Sequence, residues 1–210
     1  MKDIFNKEKW KYLKYTVSHP NDGFYWIRHA ERGSVGIAIL LVLIFSLCFS
    51  MNRIYASFVV NDINPRSVNS LTELVGVVVL FFMLCVGNWS ITCLMNGEGR
   101  FKDIVIAVGY SLAPAIVTFI LATIVSQFVA ENEEAFYTIL MGVGLAYTVI
   151  LMLIGIMQVH NYTLGKTLGT LLLTLIAVFI IIFLMLLIVN FIAQVVNFFQ
   201  SIYTELIFRA

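Results

Sequence analysis

"LGTLLLTLIAVFIIIFLMLLIVN", Leu168–Asn190, carries no charged side chain anywhere along its length. A bilayer core about 30 Å thick is crossed by about 20 apolar residues of helix, so this stretch reads as a membrane span. Outward from it, four more stretches of the same kind precede it, at about 34–55, 71–95, 104–129 and 136–158. With 60% hydrophobic residues, 12% charged residues and a mean hydropathy of +0.94, the chain lies far from soluble composition. The expected fold is an all-α integral membrane protein. It is a five-transmembrane-helix bundle with an N-terminal cytoplasmic interfacial helix and an extended C-terminal helix. Its expected units are a basic arm at 1–33, the membrane domain at 34–190 and an amphipathic helix at 191–210.

The loops between spans are too short for a soluble domain. No cleavable signal peptide is expected, because the first apolar run starts only at Ser34, after a charged segment. Cys48, Cys85 and Cys93 all fall inside spans with no metal-ligand spacing, and they read as small apolar packing residues. No cofactor, metal or nucleic-acid partner is expected.

Five spans put the two termini on opposite sides. The arm, the 96–103 loop with Arg100 and Lys102, and the 159–167 loop with Lys166 share one side and hold most of the 13 Lys and Arg. The other side has Arg53, Arg66 and Arg209, and the acidic "AENEEAF" loop. An excess of Lys and Arg marks the cytoplasmic loops, so the N-terminus is expected in the cytoplasm and the C-terminus outside a cell membrane.

In "MKDIFNKEKWKYLKYTV", Phe5, Trp10, Leu13 and Val17 fall near helical spacing among five lysines, a pattern suited to an anionic membrane surface. "SHPNDG" is expected to break that helix, through Pro20 and the turn formers Asn21, Asp22 and Gly23. Phe24, Tyr25 and Trp26 then read, with Trp10, as interfacial aromatics. Two roles stay open: an anchor that sets orientation, or a docking arm for a cytoplasmic partner.

Within the spans, polar and small residues mark candidate contacts. Asn88, one turn before Thr92, is expected to face other helices, since polar groups in lipid need partners. "NGEGRFKD" reads as a tight turn supplied by Asn96, Gly97 and Gly99. "GYSLAP", Gly109–Pro114, reads as a kink: Pro114 has no N–H for the Tyr110 carbonyl, and Ser111 stands ready to satisfy freed groups. The kink suits either packing or a lipid or ligand cavity.

"GYSLAP" also resembles a hydrolase elbow, but it lacks the second glycine and has no histidine inside a span to act as base. "GKT" lacks the first glycine of a phosphate loop, because His160 stands in that place. His160 itself reads as an interfacial hydrogen-bonding residue. Gly165 and Gly169 form a small-xxx-small pair suited to helix contact. Glu73 is expected to snorkel at an outer boundary.

Past Asn190, a polar stripe of Asn190, Gln194, Asn197 and Ser201 lies beside an apolar one of Phe191, Val195, Phe198 and Ile202. Such a segment packs on its own bundle or lipid, or on a partner membrane protein.

Four motifs, "HPNDGFYWIRHAERGS" (His19–Ser34), "NWSITCLMNGEGRFKDI" (Asn88–Ile104), "GYSLAP" (Gly109–Pro114) and "VHNYTLGKTL" (Val159–Leu168), resemble in order and topology the Yip family of Ypt/Rab-interacting membrane proteins, its bacterial branch most of all. Eukaryotic members act in membrane traffic and bind small GTPases. Their DLYGP-like segment has no counterpart here, so GTPase binding is not carried over.

Bacterial members accompany sugar-uptake ABC transporter components. The resemblance therefore implies a non-enzymatic accessory or scaffold protein associating with other membrane proteins, with the permease subunits of a carbohydrate ABC importer as partners. The alternative is a small transporter or a lipid-binding, membrane-organising protein that uses the kinked third span.

Overall fold

The computed structural model describes residues 6–209; Lys2 and Phe5 of the arm lie outside them. It contains eight α-helices and, among the described residues, no strand. They are α1 (Lys7–Ser18), α2 (Pro20–Ala30), α3 (Val35–Tyr55), α4 (Ser70–Leu94), α5 (Phe101–Ser111), α6 (Ala113–Val125), α7 (Glu134–His160) and α8 (Leu164–Arg209). With α5 and α6 taken as one broken span, five helical segments are long and apolar enough to cross a membrane. The all-α, five-span expectation holds.

Helix ends follow local chemistry. Ser34 caps α3 by accepting from the Ile37 N–H, and Asn69 caps α4 through the Leu71 and Thr72 N–H groups. Asp103 reaches back to the Arg100 N–H at the start of α5. Asn161 closes α7 in the left-handed region, at φ 55°.

The arm departs from its expected form. It folds into a hairpin of two helices whose break is the single residue His19, at φ −130°. Pro20 does not end a helix; it opens α2, where its missing N–H costs nothing, and Asn21, Asp22 and Gly23 are helical. Gly23 allows close crossing, because a Cβ there would stand 2.5 Å from the Thr16 Cα.

The hairpin packs against α5 and α7 and buries Leu13, Phe24 and Ile27 in the same core as Ile37, Ile104 and Leu151. Tyr147, halfway along α7, donates to the Val17 carbonyl at 2.6 Å. At 1.5 Å per residue that contact lies about 20 Å along α7 from its His160 end. The arm is therefore part of the bundle.

α5 is the hub. Every residue from Asp103 to Ser111 is buried, between α3, α4, α7 and the hairpin. In the most apolar part of α5–α6, 67% of residues are buried, against 6% in α8, so α8 is peripheral. It packs chiefly on α4, with a smaller contact to α7, and runs through Asn190 without a break.

Candidate functional site

The arm end of the bundle gathers the charged groups. Glu31, just past α2, accepts from Arg100 Nη1 at 2.6 Å and from Lys102 Nζ at 2.9 Å. Donation by Lys102 and Arg100 holds its carboxyl at about 2. Arg100 also donates to Asp103, whose own side chain is 2% exposed. That hydrogen bond, followed by the one to Glu31, raises the Arg100 pKa.

Lys9 donates to the carbonyls of Glu31, Arg32 and Gly33 at 3.0–3.1 Å, closing the C-terminal end of α2 with a positive charge. Tyr12 donates to the Gly23 carbonyl at 2.6 Å, and burial pushes its hydroxyl up to about 12. Glu31, Arg100 and Lys102 thus form a latch between the hairpin and the start of α5, while Lys9 closes the arm on itself.

A second cluster lies beneath the latch. His160 is 1% exposed, and its Nδ1 accepts from the Gly99 N–H at 3.1 Å, which leaves the ring proton on Nε2. Its ring stacks on Tyr162 at 5.3 Å, and Lys166 Nζ sits 4.1 Å from the Tyr162 ring centre. Tyr162 donates to the Met95 carbonyl at 3.2 Å, and burial raises its pKa.

The 96–100 turn is built around this histidine. Asn96 alone takes a positive φ, of 54°, whereas Gly97 and Gly99 do not. A Cβ at Gly97 would stand 2.6 Å from His160 Nδ1, and one at Gly99 would stand 2.7 Å from its Cε1. These glycines make room for the ring, where turn geometry was the expected reason.

α5 ends at Ser111, Leu112 breaks the span, and Pro114 lies in the first turn of α6. Ser111 donates to the carbonyls of Ala107 (2.6 Å) and Val108 (3.1 Å). The Tyr110 hydroxyl accepts from the Ser34 N–H at 3.1 Å, tying α5 to the head of α3. Gly109 lets the two helices touch, since a Cβ there would meet the Ala38 Cβ at 2.7 Å. Tyr110 and Ser111 are both buried, and the segment before the break ties α5 to α3.

Asn88 is fully buried and donates to Thr174 Oγ1 at 3.2 Å, joining α4 to α8. Gly87 beside it faces Val178. Gly165 and Gly169 face open space in this chain, with nothing within 4 Å of where a Cβ would sit. Asn190, Gln194, Asn197 and Ser201 are all exposed. Trp10, Tyr25 and Trp26 are exposed, but Phe24 is not. It was expected at the interface with its neighbours, yet it is 0% exposed and packs against Gly155 and the hub. In a helix, successive residues point about 100° apart, so a run of three aromatics cannot share one face.

At the opposite end, Glu73 does not snorkel. It accepts from Ser50 Oγ at 2.6 Å and pairs with Arg53, with a side chain 12% exposed. Asn52 donates to Thr123 at 2.9 Å and accepts from Tyr137 at 2.9 Å, joining α3, α6 and α7. Sequence reading missed Asn52, Glu31 and Lys9 as organising residues, because each acts through a partner distant in the chain. An asparagine inside an apolar run was the one legible signal, and it was used for Asn88 only.

Among the described residues no group of three His, Cys, Asp or Glu is placed to hold a metal ion. Asn52, Asn88 and Tyr110 make hydrogen bonds that join different helices of the bundle. No curated protein and no solved structure matches the chain. The Yip1 domain family model matches residues 14–202, which takes in most of the hairpin, all the spans and most of α8. The chain belongs to the Yip1 domain family.

Proposed function

We propose that this protein is a non-enzymatic membrane scaffold that binds other membrane proteins through its docked N-terminal hairpin. The carrying observation is the two-sidedness of that hairpin. Leu13, Phe24 and Ile27 fix one side in the core, while Trp10, Tyr15, Tyr25 and Trp26 stand exposed on the other among Lys7, Lys11 and Lys14. A floppy orientation signal has no need of a core side. Rigid exposed Trp and Tyr side chains are frequent anchors of protein interfaces.

The partner we propose is the permease of a carbohydrate ABC importer in a cell membrane, with the hairpin entering the bundle from the cytoplasmic side and the end of α8 outside. The partner rests on the resemblance to the bacterial branch, and the orientation rests on the charge bias of the loops. The test is mild-detergent co-purification of the tagged chain at native expression, compared with a Trp10→Ala/Trp26→Ala variant. A permease in fixed ratio, lost in the variant while insertion persists, supports the reading. A wild-type chain that brings down no membrane protein in fixed ratio overturns it.

A lipid-binding reading has its own observation. Cys48, Met51, Tyr55, Ile120, Thr123 and Ile124 line an almost wholly apolar groove of about 250 Å³ between α3 and α6. It is of a size and chemistry for part of an acyl chain. Native mass spectrometry that finds lipid retained by the wild type and lost on Ile120→Trp supports it; retention unaffected by that change removes it.

A further inference from the structure

Past the span, the last helix changes character. The Asn88–Thr174 hydrogen bond sets the antiparallel register of α4 and α8. Ser70, the first residue of α4, therefore lies level with about residue 192 of α8. α8 continues to Arg209, so about 25 Å of helix stands beyond the end of its neighbour. No glycine or proline follows Gly169, and α8 has no break at which to fold flat.

From Leu171 to Val189 the helix is apolar on almost every side, as lipid surroundings require. From Asn190 it becomes two-faced. Asn190, Gln194, Asn197, Ser201 and Thr204 recur at alternating steps of four and three. On the other side, Ile192, Val195, Phe199, Ile202 and Leu206 recur at the same alternating steps. In heptad terms the apolar set fills a and d, and the polar set fills c and f. Two consecutive heptads of this kind match the a/d seam of a left-handed coiled coil.

We propose that copies of this chain self-associate through that seam, parallel and in register, as a coiled coil beyond the membrane. Copies in one membrane share their orientation, so their tails meet side by side at the same level. The seam is uncovered within the chain: Ile192 is 55% exposed, Phe199 64% and Leu206 64%. With the flanking Phe198 and Tyr203, the seam offers roughly 600–700 Å² per copy, about 1,200–1,400 Å² per pair, the lower end of a specific interface. The outward face keeps its amides and hydroxyls in water. This interface is separate from the hairpin surface, so it stands whether or not a permease binds there.

The experiment is cysteine cross-linking of the full chain in its membrane, with Cys48, Cys85 and Cys93 replaced by alanine. Single cysteines are placed at Val195 and Ile202 in the seam and at Asn197 on the outer face. A disulfide needs Cα atoms about 4.4–6.8 Å apart, a spacing that d positions supply and f positions do not. The expected result is about tenfold more covalent dimer from Val195→Cys and Ile202→Cys than from Asn197→Cys under mild oxidant. Dimer from Asn197→Cys alone would place the contact on the polar face and overturn the seam. Absence of dimer at both seam positions would overturn self-association through this helix. Val195, Asn197 and Ile202 are all exposed, so these three changes remove no packing contact of the bundle, and the replacement of the buried Cys85 is common to all three variants.

Discussion

Gly109 and Phe24 show how single residues decide the packing around the hub. An alanine at Gly109 would push its Cβ to 2.7 Å from that of Ala38 and to 2.9 Å from the Ala38 backbone, which cannot yield as a flexible side chain does. Gly109→Ala is expected to cost about 1–3 kcal/mol. Gly142→Ala, with nothing within 4 Å, is expected to gain up to about 1 kcal/mol from helix propensity. Tm values in detergent check the pair; equal Tm values would remove the close approach as the reason for Gly109. Phe24→Ala empties a fully buried site and is expected to cost about 3–5 kcal/mol. Tyr25→Ala, at 40% exposure, is expected to stay within about 0.5 kcal/mol. A Tyr25 variant melting as low as the Phe24 variant would contradict the placement of the hairpin. The sequence presented these two rings as equals, and only the contact with Gly155 separates them.

The hairpin is the element whose behaviour depends on pH and salt. Its latch joins Glu31 to Arg100 and Lys102. The Glu31 carboxyl sits at about 2, below its ordinary 4.5. A depressed acid contributes stability that is present above 4.5 and is lost as pH falls from there through about 2. The latch is exposed, so the loss is modest and salt weakens the same contacts. Acidification through that window is expected to loosen the hairpin, read as a change in Trp10 and Trp26 fluorescence. Glu31→Gln is expected to show the loosened signal at neutral pH and no transition in that window. An unchanged transition in Glu31→Gln would assign it to another group. Helical propensity and the charge run were legible in this arm, but its docking was not. Glu31 meets Arg100 and Lys102 some 70 residues away, a separation that local pattern cannot encode.

For the whole molecule, α8 separates what the bundle needs from what it extends. Residues 191–208 are exposed along their whole length, so cutting after Asn190 is expected to leave insertion and the fold of the five spans intact. Mass action gives a sharper readout. Self-association makes the Tm of the full chain rise with protein concentration, whereas the chain cut after Asn190 is expected to melt at a constant temperature. Two flat curves would argue against the coiled coil. The sequence by itself determined the membrane class, the number of spans and the position of the Pro114 break. Each of these rests on short-range properties: apolar length against bilayer thickness, and the N–H that proline lacks. Tertiary structure alone decided that the arm enters the core, that Glu73 pairs with Arg53, and that Gly97 and Gly99 make room for His160. The physical reason is the same in each case: these contacts join segments on different helices, and which faces meet is fixed only once the helices have packed.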